Sequence, residues 1–269
     1  MLAFRSLLFN AIFYLNLLLQ MLVFAIFTFL GPFWYVWGVG KVWSSSSLWL
    51  ARHIVGIRVQ VEGTENMVDT NCIVAIKHQS FLDTFAFVPH IKAGMIVLKR
   101  ELTWIPIFGW YLLRFRFIAI NRGRGRAVME QIANKAAMRM ARQDRQLIIY
   151  PEGTRKAVGA PPDYKYGIVE LYARLNIPVV PIAHLAGLYW PRRQFRRYPG
   201  LMVARILEPI PPGLPRQEFR RLLCEKIEGA CDELLVEVAR SEDPPPFPPT
   251  AIVRLEELGV ETEGLPRRN

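Results

Sequence analysis

The sequence predicts an α/β fold, a mixed and largely buried sheet flanked by helices, preceded by an N-terminal hydrophobic helical membrane anchor. Two observations predict the sheet. Short apolar runs rich in β-branched residues recur along the chain, and stretches of helical periodicity separate them. A third observation predicts the anchor: residues 6–40 carry no charged side chain. The 269 residues are 52% hydrophobic and carry a net charge of +11, with a mean hydropathy of +0.17 and a pI near 9.9. A basic, hydrophobic chain suits an anionic membrane surface or a phosphorylated substrate better than nucleic acid, whose binding modules rarely carry a long apolar stretch. The organisation expected is an anchor over 1–50, a globular domain over 51–240 and a proline-rich tail over 241–269.

Residues 7–30 are almost wholly apolar and would reach ~36 Å as a helix, against a bilayer core of ~30 Å. A signal peptide is the competing reading, but the run exceeds the usual apolar core of ~7–15 residues and no small-residue cleavage site follows. Gly31-Pro32 breaks the helix. Phe33, Trp34, Tyr35, Trp37 and Trp43 follow, and aromatics gather where hydrocarbon meets headgroups. The segment either crosses once or returns as a bent hairpin. Positive charge lies beyond it, from Lys41 and Arg52 onward, which predicts a membrane-bound protein of the cell inner membrane with its domain facing the cytoplasm.

Strands are expected over 57–61, 72–76, 96–98, 117–120, 147–150 and 179–182. The clearest helix is 127–142, with Val128, Ile132, Ala136 and Met140 at i+4 spacing. The tail over 243–249 is expected to wrap loosely or be disordered. Cys72, Cys224 and Cys231 are odd in number and show no metal-like spacing, so a reducing compartment is expected.

Chemistry can be looked for where strands end, because side chains become available at that edge of an α/β sheet. His78 follows the 72–76 strand. Asp83 lies five residues on, close enough to hydrogen-bond the second ring nitrogen and fix the tautomer, as the third member of a triad does. A lone pair at this spacing is more often structural. Ser80 is too local to His78 to serve as nucleophile. Tyr150-Pro151-Glu152-Gly153-Thr154-Arg155 also follows a strand; glycine permits close backbone approach, and Thr154 and Arg155 suit phosphate. Its plain reading is an ordinary turn. Of the basic run Arg114, Arg116, Arg122, Arg124 and Arg126, only Arg122 would be delivered by a strand to the same edge; the others read as a solvated, lipid-attracting face. The 177–181 stretch reads as a structural strand entry, with lining of an acyl channel as its one functional role. The aromatic–cation segment 189–198 reads as an interfacial patch. His53, His90 and His184 read as structural, and no metal site is expected, since carboxylates and histidines do not cluster at ligand spacing.

Taken in order, these blocks resemble the 1-acyl-sn-glycerol-3-phosphate acyltransferase family, a glycerolipid acyltransferase-like fold. The resemblance runs over about 56–181. His78-Gln79-Ser80-Phe81-Leu82-Asp83 looks like its histidine–aspartate block, Pro151-Glu152-Gly153-Thr154-Arg155 like its third and 178–181 like its fourth. The family often has asparagine before the histidine, where Lys77 adds charge beside the base here. Its second block usually carries a glycine and an acid where this chain has Arg116 and Asn121. Lys165-Tyr166-Gly167 resembles the basic residue and glycine that follow the third block. The resemblance implies transfer of a fatty-acyl group from acyl-CoA or acyl-carrier protein, as co-substrate and with no further cofactor, to the sn-2 hydroxyl of lysophosphatidic acid, without a covalent acyl-enzyme. His78 would be the base, oriented by Asp83. Arg122 and Arg155, with Lys165, would grip the phosphate beside Gly153 and Thr154, and Glu152 would bind or order that pocket. The expected partners are lysophosphatidic acid, the acyl thioester and anionic membrane lipids, with no nucleic acid. The rivals are an acyltransferase for another lysolipid such as a lyso-aminolipid, a membrane-anchored lipid-binding module without catalysis, and a membrane-tethered nucleic-acid binder.

Overall fold

The computed structural model describes residues 1–120 and 126–268. Its first fifty residues form a helical hairpin. One arm is α1 (Leu2–Val23) continued by the short α2 (Ala25–Leu30), and the other is α3 (Phe33–Leu50). The break falls at Gly31 and Pro32, as expected: Pro32 opens α3, where its missing N–H breaks no intrahelical bond. The arms run antiparallel. Arg5 Nε donates to the Ile54 carbonyl at 2.6 Å, and Asn16 and Gln20 donate to Ser46 Oγ at 3.0 and 2.7 Å. Side-chain amides and hydroxyls of this kind clasp helices together where apolar burial alone gives little drive.

The hairpin lies across the remaining structure rather than projecting from it. Phe9 and Phe13 are buried, and the Phe13 ring meets Phe81, Phe85 and Trp190. At the hairpin turn, Tyr111 donates to the Met21 carbonyl and Arg114 to those of Thr28 and Gly31. Arg114 therefore braces the hairpin, and the solvated face expected for it is corrected. The outer side of α1 and α2 exposes Leu7, Leu15, Leu18, Leu22, Ile26 and Leu30.

A seven-stranded sheet forms among the described residues: β1 (Ile57–Glu62), β2 (Cys72–Ile76), β3 (Gly94–Lys99), β4 (Ile118–Ile120), β5 (Gln146–Ile149), β6 (Val179–His184) and β7 (Gly200–Ile206), in the order β1-β7-β6-β2-β5-β3-β4. All neighbours are parallel except β6 and β7. Each expected strand is present within a few residues. β7, which sequence reading did not find, makes the sheet mixed. β2 and β6 are buried at every position, which suits continuous apolar runs covered on both faces.

The covering helices are α4 (Phe108–Arg114), α5 (Arg126–Met140), α6 (Tyr166–Leu175), the single turn α7 (Ala186–Tyr189), α8 (Arg216–Ala239) and α9 (Pro249–Glu257). α8 buries Phe219, Leu223, Ile227, Ala230 and Leu234, an i+4, i+3 stripe, as a helix on a core must. The C-terminal segment is not loose. Phe247 is fully buried, Thr250 Oγ1 donates to the Val158 carbonyl at 2.6 Å, and Arg268 donates to the carbonyls of Gly187 and Leu188 at 3.3 and 3.2 Å. Apolar residues between the prolines give this segment a surface to bury, which the composition alone concealed.

Candidate active site

β2 and β5 are parallel neighbours, with Ala75 opposite Ile149, so the loops that follow them emerge side by side. This adjacency brings the first and third sequence blocks together. The His78 imidazole stacks on the Tyr150 ring, centroids 4.0 Å apart and planes at 25°. The Lys156 amide donates to the His78 carbonyl at 2.9 Å, joining the two loops through their backbones.

The local fold of the histidine loop is organised by Asp83. A short 3-10 turn, Leu82–Thr84, carries the buried carboxylate back beneath the histidine. Its Oδ1 lies 2.9 Å from His78 Nδ1, while Oδ2 accepts the Gln79 and Ser80 amides at 2.8 and 2.7 Å. With the proton on Nδ1 and directed at the carboxylate, Nε2 is left as the acceptor. It has no hydrogen-bond partner among the described residues, and the His78 side chain is 15% exposed. The ring can therefore take a proton from a hydroxyl that approaches Nε2. Ser80 is not poised to attack anything: its Oγ donates to the Trp190 carbonyl at 2.6 Å and accepts the Leu82 amide at 3.0 Å.

A second histidine supports this loop. His184, fully buried at the end of β6, donates Nε2–H to the Lys77 carbonyl at 2.6 Å and accepts the Ala186 amide on Nδ1 at 3.1 Å. Burial holds its pKa below the usual histidine value against the opposing pull of Asp83, so it is a neutral strut. Its Nε2 lies 3.9 Å from Asp83 Oδ2, a proximity across 101 residues that no local pattern displays.

In the third block, Gly153 turns the chain with φ 67°, a left-handed conformation that disfavours any residue with a Cβ. Its amide donates to the Tyr150 carbonyl at 2.9 Å. The turn leaves Thr154 exposed and Arg155 half-buried. The Arg155 carbonyl accepts from Arg192 at 2.8 Å, while its guanidinium makes no ion pair or hydrogen bond with the described residues. Lys165 is joined to the same turn by its amide, which donates to the Pro151 carbonyl at 2.9 Å; its ammonium pairs with Asp163. Tyr150 is kept protonated, burial and then the Asp83 charge pushing its phenol well above the usual tyrosine range.

Glu152 points inward. It is 1% exposed, with Oε1 3.3 Å from the Lys77 ammonium. Lys77 in turn reaches Glu228 of α8 at 2.7 Å, and Tyr164 donates to the same Glu228 oxygen at 2.6 Å. Burial works against the Lys77 charge, but Glu228 and then Glu152 outweigh it and hold its pKa above the usual lysine value. Burial pushes the Glu152 carboxyl up despite the pull of Lys77; its pair is the longer and weaker of the two. The charge expected beside the base is thus directed away from it, toward α8.

His78, Asp83, Glu152, Gly153, Thr154, Arg155 and Lys165 therefore occupy two adjoining loops. Arg122 lies outside the described residues; β4, which leads to it, pairs with β3 at the sheet margin. Sequence reading named Tyr150 and Lys77 without their contacts here, and it missed His184 and Glu228 as parts of this assembly. Tyr150 carried a signal, since it sits at the end of a strand directly before the block; the others meet only through tertiary folding.

Known acyltransferases resemble this chain in sequence and in fold. The family model described as Acyltransferase matches residues 58–185. A 1-acyl-sn-glycerol-3-phosphate acyltransferase of Pseudomonas aeruginosa is 38% identical over 158 residues, 59% of this chain and 61% of its own length. One from Cocos nucifera is 29% identical over 160 residues, 58% of this chain and 51% of its own. The chain thus spans less than two thirds of the length of these relatives. The crystal structure of the 1-acyl-sn-glycerophosphate (LPA) acyltransferase PlsC from Thermotoga maritima superposes with a TM-score of 0.71 over 87% of this chain and 99% of that one. At 22% identity, that likeness is one of fold.

Proposed function

We propose that this chain, whose residues 58–185 match the family model described as Acyltransferase, moves a fatty-acyl group from acyl-CoA or acyl-carrier protein to the sn-2 hydroxyl of lysophosphatidic acid, giving phosphatidic acid. The observation that carries this reading is the His78–Asp83 pair at 2.9 Å, set beside a turn whose Arg155 guanidinium makes no ion pair or hydrogen bond with the described residues. The names of the relatives in Pseudomonas aeruginosa and Cocos nucifera support the same acceptor.

In this mechanism His78 Nε2 takes the proton of the acceptor hydroxyl as its oxygen attacks the thioester carbonyl. The tetrahedral intermediate collapses, the C–S bond breaks, and the imidazolium returns its proton to the departing thiolate. No acyl-enzyme forms. Asp83 fixes the tautomer and stabilises the imidazolium. General-base assistance of this kind contributes ~10²–10⁴-fold; holding acceptor and thioester together supplies much of the rest. Arg155, with Arg122 and Lys165, grips the acceptor phosphate, for which a guanidinium is suited by its paired donors. Gly153 and Thr154 line the approach, and Glu152 orders the turn from within.

The protein works at a membrane. The hairpin is fastened to the domain at Arg5, at Phe13 and at the Tyr111 and Arg114 end, so its exposed apolar side is directed away from the domain along its whole length. That geometry favours embedding in one leaflet over a crossing, with Arg192, Arg193 and Arg196 meeting anionic headgroups. We place the catalytic domain on the cytoplasmic face of the inner membrane, on the distribution of positive charge.

The test is thiol release from oleoyl-CoA by detergent-purified protein, with and without lysophosphatidic acid, beside His78→Ala. Release that requires the acceptor and falls by at least ~10²-fold in the variant is expected. Near-normal activity in His78→Ala would overturn the mechanism. Silence with lysophosphatidic acid but turnover with a phosphate-free lysolipid would overturn the acceptor.

A further inference from the structure

Lys77 stands where the family it resembles often has asparagine, and the proton transfers just described give it no task. It is nevertheless 3% exposed and charged, between Glu152 at 3.3 Å and Glu228 at 2.7 Å. Its ammonium also lies 5.6 Å from the Tyr164 ring centre. A buried ion pair rarely stabilises a fold more than well-packed apolar residues of similar volume do; its better-attested use is to fix one geometry among several. The geometry available to be fixed is clear from the chain. Lys77 directly precedes the base, and Glu152 lies three residues before Arg155. Glu228, from α8, comes from neither loop.

The geometry points to Lys77 as a positioning residue: anchored to α8 by Glu228, it holds Glu152, and with it the Gly153 turn, at the separation from His78 that lets one acceptor place its hydroxyl on the base and its phosphate on Arg155. This rests on the acceptor reading above for the role of Arg155. The brace is one-sided. Glu152 receives Lys77 and the Asp163 amide, at 3.4 Å, on the same Oε1. Its Oε2 is buried with no partner among the described residues. With the ammonium removed, nothing described holds that carboxylate against α8, and Glu228 adds repulsion. The groups facing Glu152 and Lys77 are Glu228, Tyr164, Cys224 and Cys231; burial pushes the Tyr164 phenol and both thiols up, which keeps those three protonated.

The experiment has two arms on the full-length protein in detergent. In the kinetic arm, Lys77→Met, Glu152→Gln and the double variant are compared with wild type. Each single change is expected to raise the KM for lysophosphatidic acid by roughly tenfold to hundredfold, the scale of an ångström-level misplacement, and to leave the KM for oleoyl-CoA unchanged. The double variant is expected to be no worse than the poorer single one, because both remove the same contact. Effects that multiply, or a KM shift shared equally by both substrates, would overturn the proposal. In the second arm, amide hydrogen exchange is followed over residues 151–156 and 79–84. Faster exchange confined to 151–156 in Lys77→Met is expected; unchanged exchange there overturns the brace. This arm needs no substrate, so a wild type that is silent with lysophosphatidic acid would sink the acceptor reading while the exchange result still decides the brace. Glu228→Gln, nearly isosteric, serves if Lys77→Met does not fold: it is expected to shift both readouts the same way by less, and no shift in either overturns the anchoring to α8.

Discussion

His78 and Asp83 lie five residues apart, but the useful geometry of the pair depends on contacts far along the chain. The Gln79 and Ser80 amides hold one carboxylate oxygen so that the other faces the ring, and Ser80 is itself fastened to Trp190. At this scale the proposed roles of base and clamp fall on separate residues. Arg155→Ala removes a charged donor without touching the imidazole. It is expected to raise the KM for lysophosphatidic acid roughly tenfold to hundredfold, the loss of a charge-assisted bond of ~1.5–3 kcal/mol. The kcat should hold and the KM for oleoyl-CoA should not move; steady-state kinetics on both substrates would show it. The members of each block were legible in the sequence, because a polar residue directly after a buried strand has one edge to occupy. Their neighbours were not. Lys77 and Glu228 are 151 residues apart, and neither residue type at its own position signals the other.

Among the elements, strands β1 to β6 were legible from short apolar runs, but their order was not. That β5 inserts between β2 and β3 is what makes His78 and Tyr150 neighbours. β7 escaped notice because its burial alternates and it carries Arg205 near its end, which reaches Glu62, Glu233 and Glu237 at 3.1, 2.9 and 2.6 Å; a charge within a strand reads as surface until its partners are known. The C-terminal segment was misjudged on proline content. Its anchor is Phe247, fully buried, whose amide and carbonyl bond Pro266 and Arg268 at 2.8 Å each. Phe247→Ala is expected to lower stability by about 3–5 kcal/mol, as for other buried phenylalanines. A downward shift of the denaturation midpoint with unchanged slope would report it, and an unchanged midpoint would mean that the segment is dispensable.

For the whole molecule, charge and apolar surface act together. Ile26 and Leu30 are 69% and 84% exposed, so substituting both with aspartate leaves the core intact. On insertion scales each aspartate at mid-bilayer depth costs about 2.5–3.5 kcal/mol, so the double variant is expected to lose flotation with anionic vesicles while its thermal unfolding stays at the wild-type temperature. Flotation equal to wild type would mean that the hairpin turn does not enter the bilayer. The composition pointed to a membrane; which side of α1 the domain covers, and which it leaves exposed, needed the fold. One consequence concerns the order in which the chain is made. Asn10 is bonded to Arg197, 187 residues later, and Phe13 packs on Trp190. The inner side of α1 therefore leaves the ribosome long before its partners do. Contacts of such separation form late and leave sticky surface bare in the interval. For most of its synthesis the nascent chain needs something else to cover Phe9 and Phe13, and the bilayer that its outer side favours is the nearest apolar shelter. On the membrane reading proposed above, lipid would shelter the first helix before it serves the reaction.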